Sequence, residues 1–401
     1  MVIIGAGEAG VRAAFALREQ GYQATVTLIG DEPHLPYERP PLSKPGAEAD
    51  AVRAIAAEDR FLEAGITFLR GQKVTSIDPG AHTFALDGEN PRDYDRLLLV
   101  TGASPRMVPG LHRSDRVHVL RTIEDAGAIR RHMRKGSHLA ILGGGFIGLE
   151  LAAMGRMLGA DVTLIEVQPR VLMRGVPETL AATLQARHAA EGVELICGVG
   201  INSITDDETS VSITLADGRR IEADALVVGI GAQPNTALAA EAGLAIENGI
   251  AVDHHLCTSD PDIFAAGDCC SFPIAAYGGR RARLESWRNA QEQGNVAAAN
   301  MLGKAEIFEA VPWFWSDQYD LTLQVAGLAD SAASTVRRAL SSEAEILFHL
   351  DGEGRLLAAS GLGPGGSVAR DIRLAEMLIA RRVHPDPAAL ADPSVKLKSL
   401  L

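Results

Sequence analysis

Val2-Ile3-Ile4-Gly5-Ala6-Gly7-Glu8-Ala9-Gly10 opens the chain. A short apolar run, three glycines spaced G-x-G-x-x-G and an Ala/Leu-rich stretch from Val11 to Gln20 predict a strand, a tight turn and a helix. A second strand, Ala24 to Ile29, then leads to Asp31. The same layout returns from His138 through Gly143-Gly144-Gly145-Phe146-Ile147-Gly148, a helix from Leu149 to Leu158, a strand from Asp161 to Ile165, and Glu166. One G-x-G-x-x-G is a weak signal, because glycine-rich turns are common. Both copies here stand between a strand and a helix with an acid roughly 20 residues on, which is the full dinucleotide-binding condition.

The chemistry follows from the spacing. Gly5, Gly7, Glu8, Ala9 and Gly10 form one expected cradle, and Gly143, Gly145, Phe146, Ile147 and Gly148 the other. Glycines let the backbone approach a pyrophosphate, whose charge sits on the positive end of the following helix, and the acids Asp31 and Glu166 accept from ribose hydroxyls. A carboxylate at Glu166 repels a 2′-phosphate, which predicts NADH over NADPH; Arg170 nearby works against that preference. Each unit is closed by a buried strand ending in Gly-x or Gly-Ala. These are Leu97 to Ala103, and Leu226 to Ala232 with Gly229 and Gly231, so the chain reads as an internal duplication.

Beyond Gly303 the glycine turns stop. Alternating runs at Leu321 to Val325 and Ile346 to Leu350 predict antiparallel strands, and Ala369 to Arg382 an amphipathic helix. The expected fold class is α/β: two Rossmann-like dinucleotide-binding domains plus a C-terminal α+β domain. The expected boundaries are 1–106 with 236–306 for a discontinuous first domain, 107–235 for the second and 307–401 for the third.

With 401 residues, 47% of them hydrophobic and 22% charged, the composition is that of a folded globular protein. No run reaches the ~18 apolar residues of a membrane helix, so the expectation is no membrane and a cytoplasmic location. The apolar start is broken by Gly5, Gly7, Glu8 and Gly10 and lacks a basic leader, so it reads as mature structure. A net charge of −13 disfavours nucleic acid. Cys197, Cys257, Cys269 and Cys270 show neither zinc spacing nor a C-x-x-C pair, which predicts inert thiols and no metal site.

Two nucleotide sites in one chain suggest one resident dinucleotide and one that exchanges, the plan of flavoprotein reductases. The stretch Thr258 to Asp268, ending Phe264-Ala265-Ala266-Gly267-Asp268, resembles the second FAD fingerprint of the pyridine-nucleotide-dependent flavoprotein reductases. Within that superfamily, Pro36-Tyr37-Glu38-Arg39-Pro40-Pro41-Leu42-Ser43-Lys44 stands where disulfide reductases carry a redox-active cysteine pair. The string resembles the oxygenase-coupled ferredoxin reductases. Leu120-Arg121-Thr122, Ile147-Gly148-Leu149-Glu150, Leu284-Glu285-Ser286-Trp287-Arg288-Asn289-Ala290 and Trp313-Phe314-Trp315-Ser316-Asp317-Gln318 add to the match. Two departures stand out. Arg288 occupies a place where a neutral residue is expected, and the first strand begins almost at Met1, where relatives carry several more residues, which reads as a shortened or misassigned start that leaves the site intact.

The resemblance implies an FAD-containing, NADH-dependent reductase whose partner is a [2Fe–2S] ferredoxin and, indirectly, an oxygenase; a monomer or weak homodimer is expected. It implies that Lys44 and Glu150 approach the flavin and nicotinamide and that Trp315 covers the flavin, and these three form the catalytic set. It assigns Asp268 to the ribityl chain, Trp287 to the isoalloxazine, and Arg39 and Arg121 to FAD phosphate contact or site architecture, with Arg106 as a weaker member. Val74, Ala103 and Glu285 complete the FAD set. Trp313 is left equally open between core and cofactor contact. An acidic carrier needs a local basic patch on this acidic chain, and Arg370, Arg373, Arg381 and Arg382, with Arg337 and Arg338, are the candidates. Open alternatives are an NADH oxidase, a rubredoxin or monodehydroascorbate-type reductase, or a non-catalytic flavoprotein redox sensor.

Overall fold

The computed structural model describes residues 1–44 and 53–401. The chain divides into two compact units, one of Met1–Glu38, Arg53–Ser104 and Gln233–Trp313, the other of Arg39–Val52, Pro105–Ala232 and Phe314–Leu401.

In the first unit five parallel strands lie in the order Ile263–Ala265, Leu97–Leu99, Val2–Ile4, Val26–Gly30, Ile66–Arg70. The strand that carries the glycine motif is central, so its end opens where the strand order reverses, the usual place for a nucleotide in such sheets. Ile3, Leu28, Leu97, Leu98 and Leu99 are fully buried, as continuous apolar runs in a sheet covered on both faces must be. Helix Glu8–Glu19 packs on this sheet together with helix Trp287–Met301, whose buried face is built largely of small residues. At their crossing a Cβ on Gly294 would stand 2.6 Å from the Ala9 carbonyl oxygen, so only glycine lets the two helices meet this closely.

The second unit repeats the plan with strands Val193–Cys197, Asp161–Glu166, His138–Leu142, Ala225–Val228 and Val117–His118, all parallel, and again the glycine-motif strand is third of five. The same unit holds an antiparallel sheet in the order Trp313–Gln318, Leu321–Gly327, Leu356–Pro364, Glu345–Leu350, Ser334–Ala339. Helix Ala369–Ala380 lays Ile372, Ala375, Leu378 and Ile379 on it.

Element types match the sequence reading, and the ends differ for local reasons. Both motif helices start within the glycine motif, at Glu8 and Phe146 rather than Val11 and Leu149, because the residues after the second glycine already form the first turn. The strand read as Ala24 to Ile29 runs Val26–Gly30. The C-terminal helix stops at Ala380, short of Arg382, which adopts φ +54° and cannot continue a right-handed helix. Among the described residues no helix is long and apolar enough to cross a membrane.

Candidate functional site

Each unit presents a cradle at the start of its motif helix. Gly7 and Gly145 are the N-caps of Glu8–Glu19 and Phe146–Met157, and neither helix is capped by a side chain. Helix Ile123–Arg131, by contrast, is closed by a Thr122–Asp125 capping box. An uncapped N-terminus leaves backbone N–H groups and the positive helix end for an anion. The space differs within each motif: a Cβ on Gly7 or Gly145 meets nothing within 4 Å, whereas a Cβ on Gly10 or Gly148 stands 2.0 Å from the carbonyl oxygen of Gly5 or Gly143. The first glycine of each pair leaves open space that a phosphate would fit, and the second lets the helix pack on its turn. Both cradles therefore fit a dinucleotide.

In the second unit Glu166 is hydrogen-bonded to the glycine turn of its cradle. Its Oε2 accepts from the Gly144 amide at 2.6 Å and its Oε1 from the Gln168 amide at 2.8 Å, which fixes the carboxylate with lone pairs left for ribose hydroxyls. Arg170 is committed elsewhere: its Nη1 donates to the carbonyls of Val171 and Leu172, both at 3.0 Å, and its Nη2 to Val176 at 3.1 Å. That guanidinium builds its own loop. Ile147, half exposed, flanks the cradle, and Phe146 packs on Phe314 with ring centroids 5.0 Å apart. Gly229 and Gly231 follow the closing strand Ala225–Val228.

In the first unit Glu8, first residue of its helix, accepts from the Trp287 indole N–H at 3.0 Å and from the Gln291 amide at 2.7 Å. Burial pushes its carboxyl above the usual range, with Glu38 adding to the effect, while the two donors oppose it. Asp268 lies in a 3₁₀ turn, Gly267–Cys269, held by the Gly267 amide donating to Gln293 at 2.7 Å. Glu285 pairs with Arg283. Asp31 follows the strand Val26–Gly30 and is exposed, and Val74 and Ala103 are buried. Arg288 has a local account: it pairs with Glu292 at 2.8 Å and lies 5.3 Å over the Trp313 ring.

A polar cluster in the second unit gathers the three expected catalytic residues. The carboxylate of Glu150, 6% exposed, accepts from Ser43 and, at 2.6 Å, from Ser316. Burial pushes its pKa up, against the pull of Lys44 and the two hydroxyls. Lys44 pairs with Asp317 and lies 4.9 Å over the Trp315 ring. The Trp315 indole N–H donates to the same Asp317 carboxylate at 3.0 Å, and Thr322 donates to it at 2.9 Å. Burial alone would raise the Asp317 carboxyl; Lys44 and these donors hold it below the usual range. Arg39 sets the neighbouring turn by donating to the Arg121 carbonyl at 2.5 Å, and Arg106 donates to the Ala232 carbonyl at 3.1 Å.

Ser43, Ser316 and Asp317 are site residues to which the sequence reading gave no role, although all three stand inside the strings that carried the resemblance. Gln291 was outside every string. One docking candidate is corrected. Arg338 is 3% exposed, its guanidinium spent on the carbonyls of Leu390, Asp392, Pro393 and Val395 and on Asp371, so it clamps the C-terminal segment and faces no partner. The four cysteines are free thiols, and burial pushes each pKa up, that of Cys257 to about 11.

Comparison with known proteins agrees. Residues 1–294 match the model of the pyridine nucleotide-disulphide oxidoreductases and residues 313–401 that of the reductase C-terminal domain. The chain is 38% identical to the ferredoxin–NAD(+) reductase component of the p-cumate 2,3-dioxygenase system of Pseudomonas putida, covering 99% of this chain and 97% of that one. It is 40% identical to the corresponding component of the anthranilate 1,2-dioxygenase system of Burkholderia cepacia, over 100% and 98%. Its fold superposes on the reductase of the covalent putidaredoxin reductase–putidaredoxin complex with a TM-score of 0.93 at 35% identity, over 100% and 97% of the two chains. The chain belongs to the pyridine nucleotide-disulphide oxidoreductase family, among the ferredoxin–NAD(+) reductases of oxygenase systems.

Proposed function

We propose that this chain is an NADH-dependent ferredoxin reductase of the cytoplasm, taking a hydride from NADH onto bound FAD and passing electrons one at a time to a [2Fe–2S] ferredoxin that supplies an oxygenase. The observation that carries the reading is the pair of uncapped glycine cradles in one chain, joined to four thiols that burial keeps protonated. With no thiol relay, the reduced flavin would pass its electrons directly to an outside acceptor.

Residues 1–106 and 236–306 bind FAD through Gly5 to Gly10, Asp31 and Asp268, and residues 107–235 bind NADH through Gly143 to Gly148 and Glu166. Lys44 supplies positive charge toward reduced flavin, Glu150 a fixed carboxyl toward the nicotinamide, and Trp315 an aromatic face. Ser43 and Ser316 hold Glu150, and Asp317 holds both Lys44 and Trp315, so all three are positioned by the protein itself.

Anaerobic stopped-flow mixing of the purified yellow protein with NADH or NADPH, followed by an oxidised [2Fe–2S] ferredoxin, tests the reading. Fast bleaching by NADH with prompt reoxidation by ferredoxin is expected. Bleaching that ferredoxin does not reverse would replace it with an oxidase or a sensor.

A further inference from the structure

Glu150 ends a buried hydrogen-bonded line that reaches well outside the cluster. Ser316 Oγ lies 2.6 Å from Glu150 Oε1, Gln318 Nε2 lies 3.2 Å from Ser316 Oγ, and His188 Nε2 lies 2.9 Å from Gln318 Oε1. Tyr319 Oη closes the line at 3.4 Å from His188 Nδ1. Ser316 and Gln318 are each 1% exposed and His188 is fully buried. Such a line keeps its bonds only if every hydrogen along it points the same way.

Two arrangements satisfy it while Ser43 donates to Glu150 Oε2. In the first, His188 Nε2–H donates to Gln318 Oε1, Gln318 Nε2–H donates to Ser316, and Ser316 donates to Glu150 Oε1, so that neither oxygen of Glu150 carries a proton. Tyr319 then donates to the bare Nδ1. In the second, Glu150 carries a proton on Oε1 and donates to Ser316, which turns its own hydrogen to Gln318. The amide is reversed, Gln318 Nε2–H donates to His188 Nε2, and the imidazole proton sits on Nδ1, donating to Tyr319. Between the two, Glu150 takes one proton from solvent and His188 keeps its single proton on the other nitrogen. Mixed states leave two lone pairs or two hydrogens facing each other in a buried place, which is costly.

We propose that Ser316, Gln318 and His188 are positioning residues for Glu150, and that the ionisation of Glu150 and the tautomer of His188 change together along this line. The inference rests on the proposed place of Glu150 in the reaction. Burial pushes His188 down, in keeping with an imidazole that stays neutral in both arrangements. The other charged groups that act on Glu150 are Lys44 and Asp317, and those that act on His188 are Arg187 on its own helix, Glu178–Ala190, and Glu191, which caps that helix. Ser43 donates to the second oxygen, Oε2, in either arrangement; it shifts the balance without joining the line.

The holoprotein is titrated without NADH. The infrared C=O band that vanishes in Glu150→Gln gives the midpoint of Glu150, and nitrogen-15 resonances of labelled histidine, with His188 assigned through His188→Asn, give the tautomer. The expected result is Nε2–H above the Glu150 midpoint and Nδ1–H below it, at one shared midpoint. Ser316→Ala should raise the infrared midpoint by about one pH unit and abolish the tautomer change, and Ser316→Thr should restore both. Ser43→Ala should move the midpoint and keep the two signals together. A His188 tautomer that does not follow Glu150 in the native chain overturns the proposal, as does an unmoved midpoint in a folded Ser316→Ala. The native titration needs no variant of the line, so misfolding of Ser316→Ala cannot hide the answer. If Glu150→Gln is reduced by NADH at the native rate while the titrations behave as expected, the catalytic role of Glu150 fails and the coupling stands.

Discussion

The indole N–H of Trp287 donates to one oxygen of Glu8 at 3.0 Å while Gln291 holds the other at 2.7 Å. A carboxyl is thus pinned at the first turn of the helix that would carry the flavin diphosphate, and burial raises its pKa above the ordinary glutamate range. The folded chain therefore holds that proton more tightly than the unfolded chain. Its stabilising effect is complete below the ordinary glutamate range and is lost as pH rises through the raised folded value. Thermal unfolding of wild type and Glu8→Gln across that window should show wild type losing ground to the variant as pH rises. A constant difference would mean that Glu8 titrates normally.

The second and third motif glycines of the second cradle should separate binding from folding. Gly145 has extended φ and ψ and open space beyond its Cα, so Gly145→Ala should cost no more than about 1 kcal/mol of stability. Its methyl group would occupy the place proposed for a phosphate, and NADH affinity should fall roughly tenfold or more, a loss of about 1.4 kcal/mol. Gly148→Ala drives a methyl against the Gly143 carbonyl oxygen and should destabilise the fold itself by about 3 kcal/mol. Isothermal titration with NADH beside denaturant unfolding checks both; equal stability loss in the two variants would contradict the geometry.

Coenzyme choice should depend on Glu166 and hardly on Arg170. Glu166→Gln leaves a carbonyl oxygen for one of the two backbone amides but removes the charge that repels a 2′-phosphate, so the NADH to NADPH ratio of kcat/KM should fall. Arg170→Ala should leave that ratio near its wild-type value and lower stability by about 1–3 kcal/mol, because three carbonyls lose their donor. A ratio that moves in Arg170→Ala would show that the guanidinium leaves its loop when coenzyme binds.

How far the sequence carried this reading depended on the range of the interactions. The two glycine motifs are local: strand, turn and helix follow one another within a few residues of Gly5 or Gly143, so the cradles were legible. Lys44, Glu150 and Trp315 were named from resemblance, but the bonds that join them were not. Ser43, Ser316 and Asp317 become partners only when a 3₁₀ turn, a helix and a strand far apart in sequence meet. Arg338 is hidden from the sequence for the opposite reason. Beside Arg337 in an alternating strand it looks like a surface charge, and nothing local reveals that the segment Leu390 to Val395 folds back over it. Arg170 was placed near the right loop, while its three carbonyl partners are set by a turn that spacing does not show.

Arg338 is expected to behave as a clamp. Arg338→Met removes donors from four carbonyls of the C-terminal segment and leaves Asp371 without its cation. A loss of about 3 kcal/mol is expected, since breaking a buried ion pair strands the other charge. The kcat for ferricyanide under NADH should stay unchanged, and limited proteolysis should cut first beyond Leu390. Preserved stability would mean that water replaces the guanidinium at little cost.

Removing Arg338 from the docking set narrows the basic patch. Arg381 donates to the terminal Leu401 carbonyl at 2.8 Å and Arg337 pairs with Glu345, so their charge is partly spent within the fold. Arg370 and Arg373, with Lys398, line a surface groove shared with Leu374, Met377 and Leu401. Arg373 pairs with Glu376 of its own helix, three residues on, an arrangement worth a few tenths of a kcal/mol. On a chain of net charge −13 an acidic carrier gains nothing from the global field, so local positive charge must supply the attraction, and salt should weaken it. Arg370→Glu with Arg373→Glu is therefore expected to raise KM for a ferredoxin several-fold at low ionic strength, and to lose that effect in high salt. Ferricyanide, which needs no protein docking surface, should be reduced at the wild-type rate. Equal loss with both acceptors would place the damage in the fold, and no loss with either would move the docking surface away from this helix.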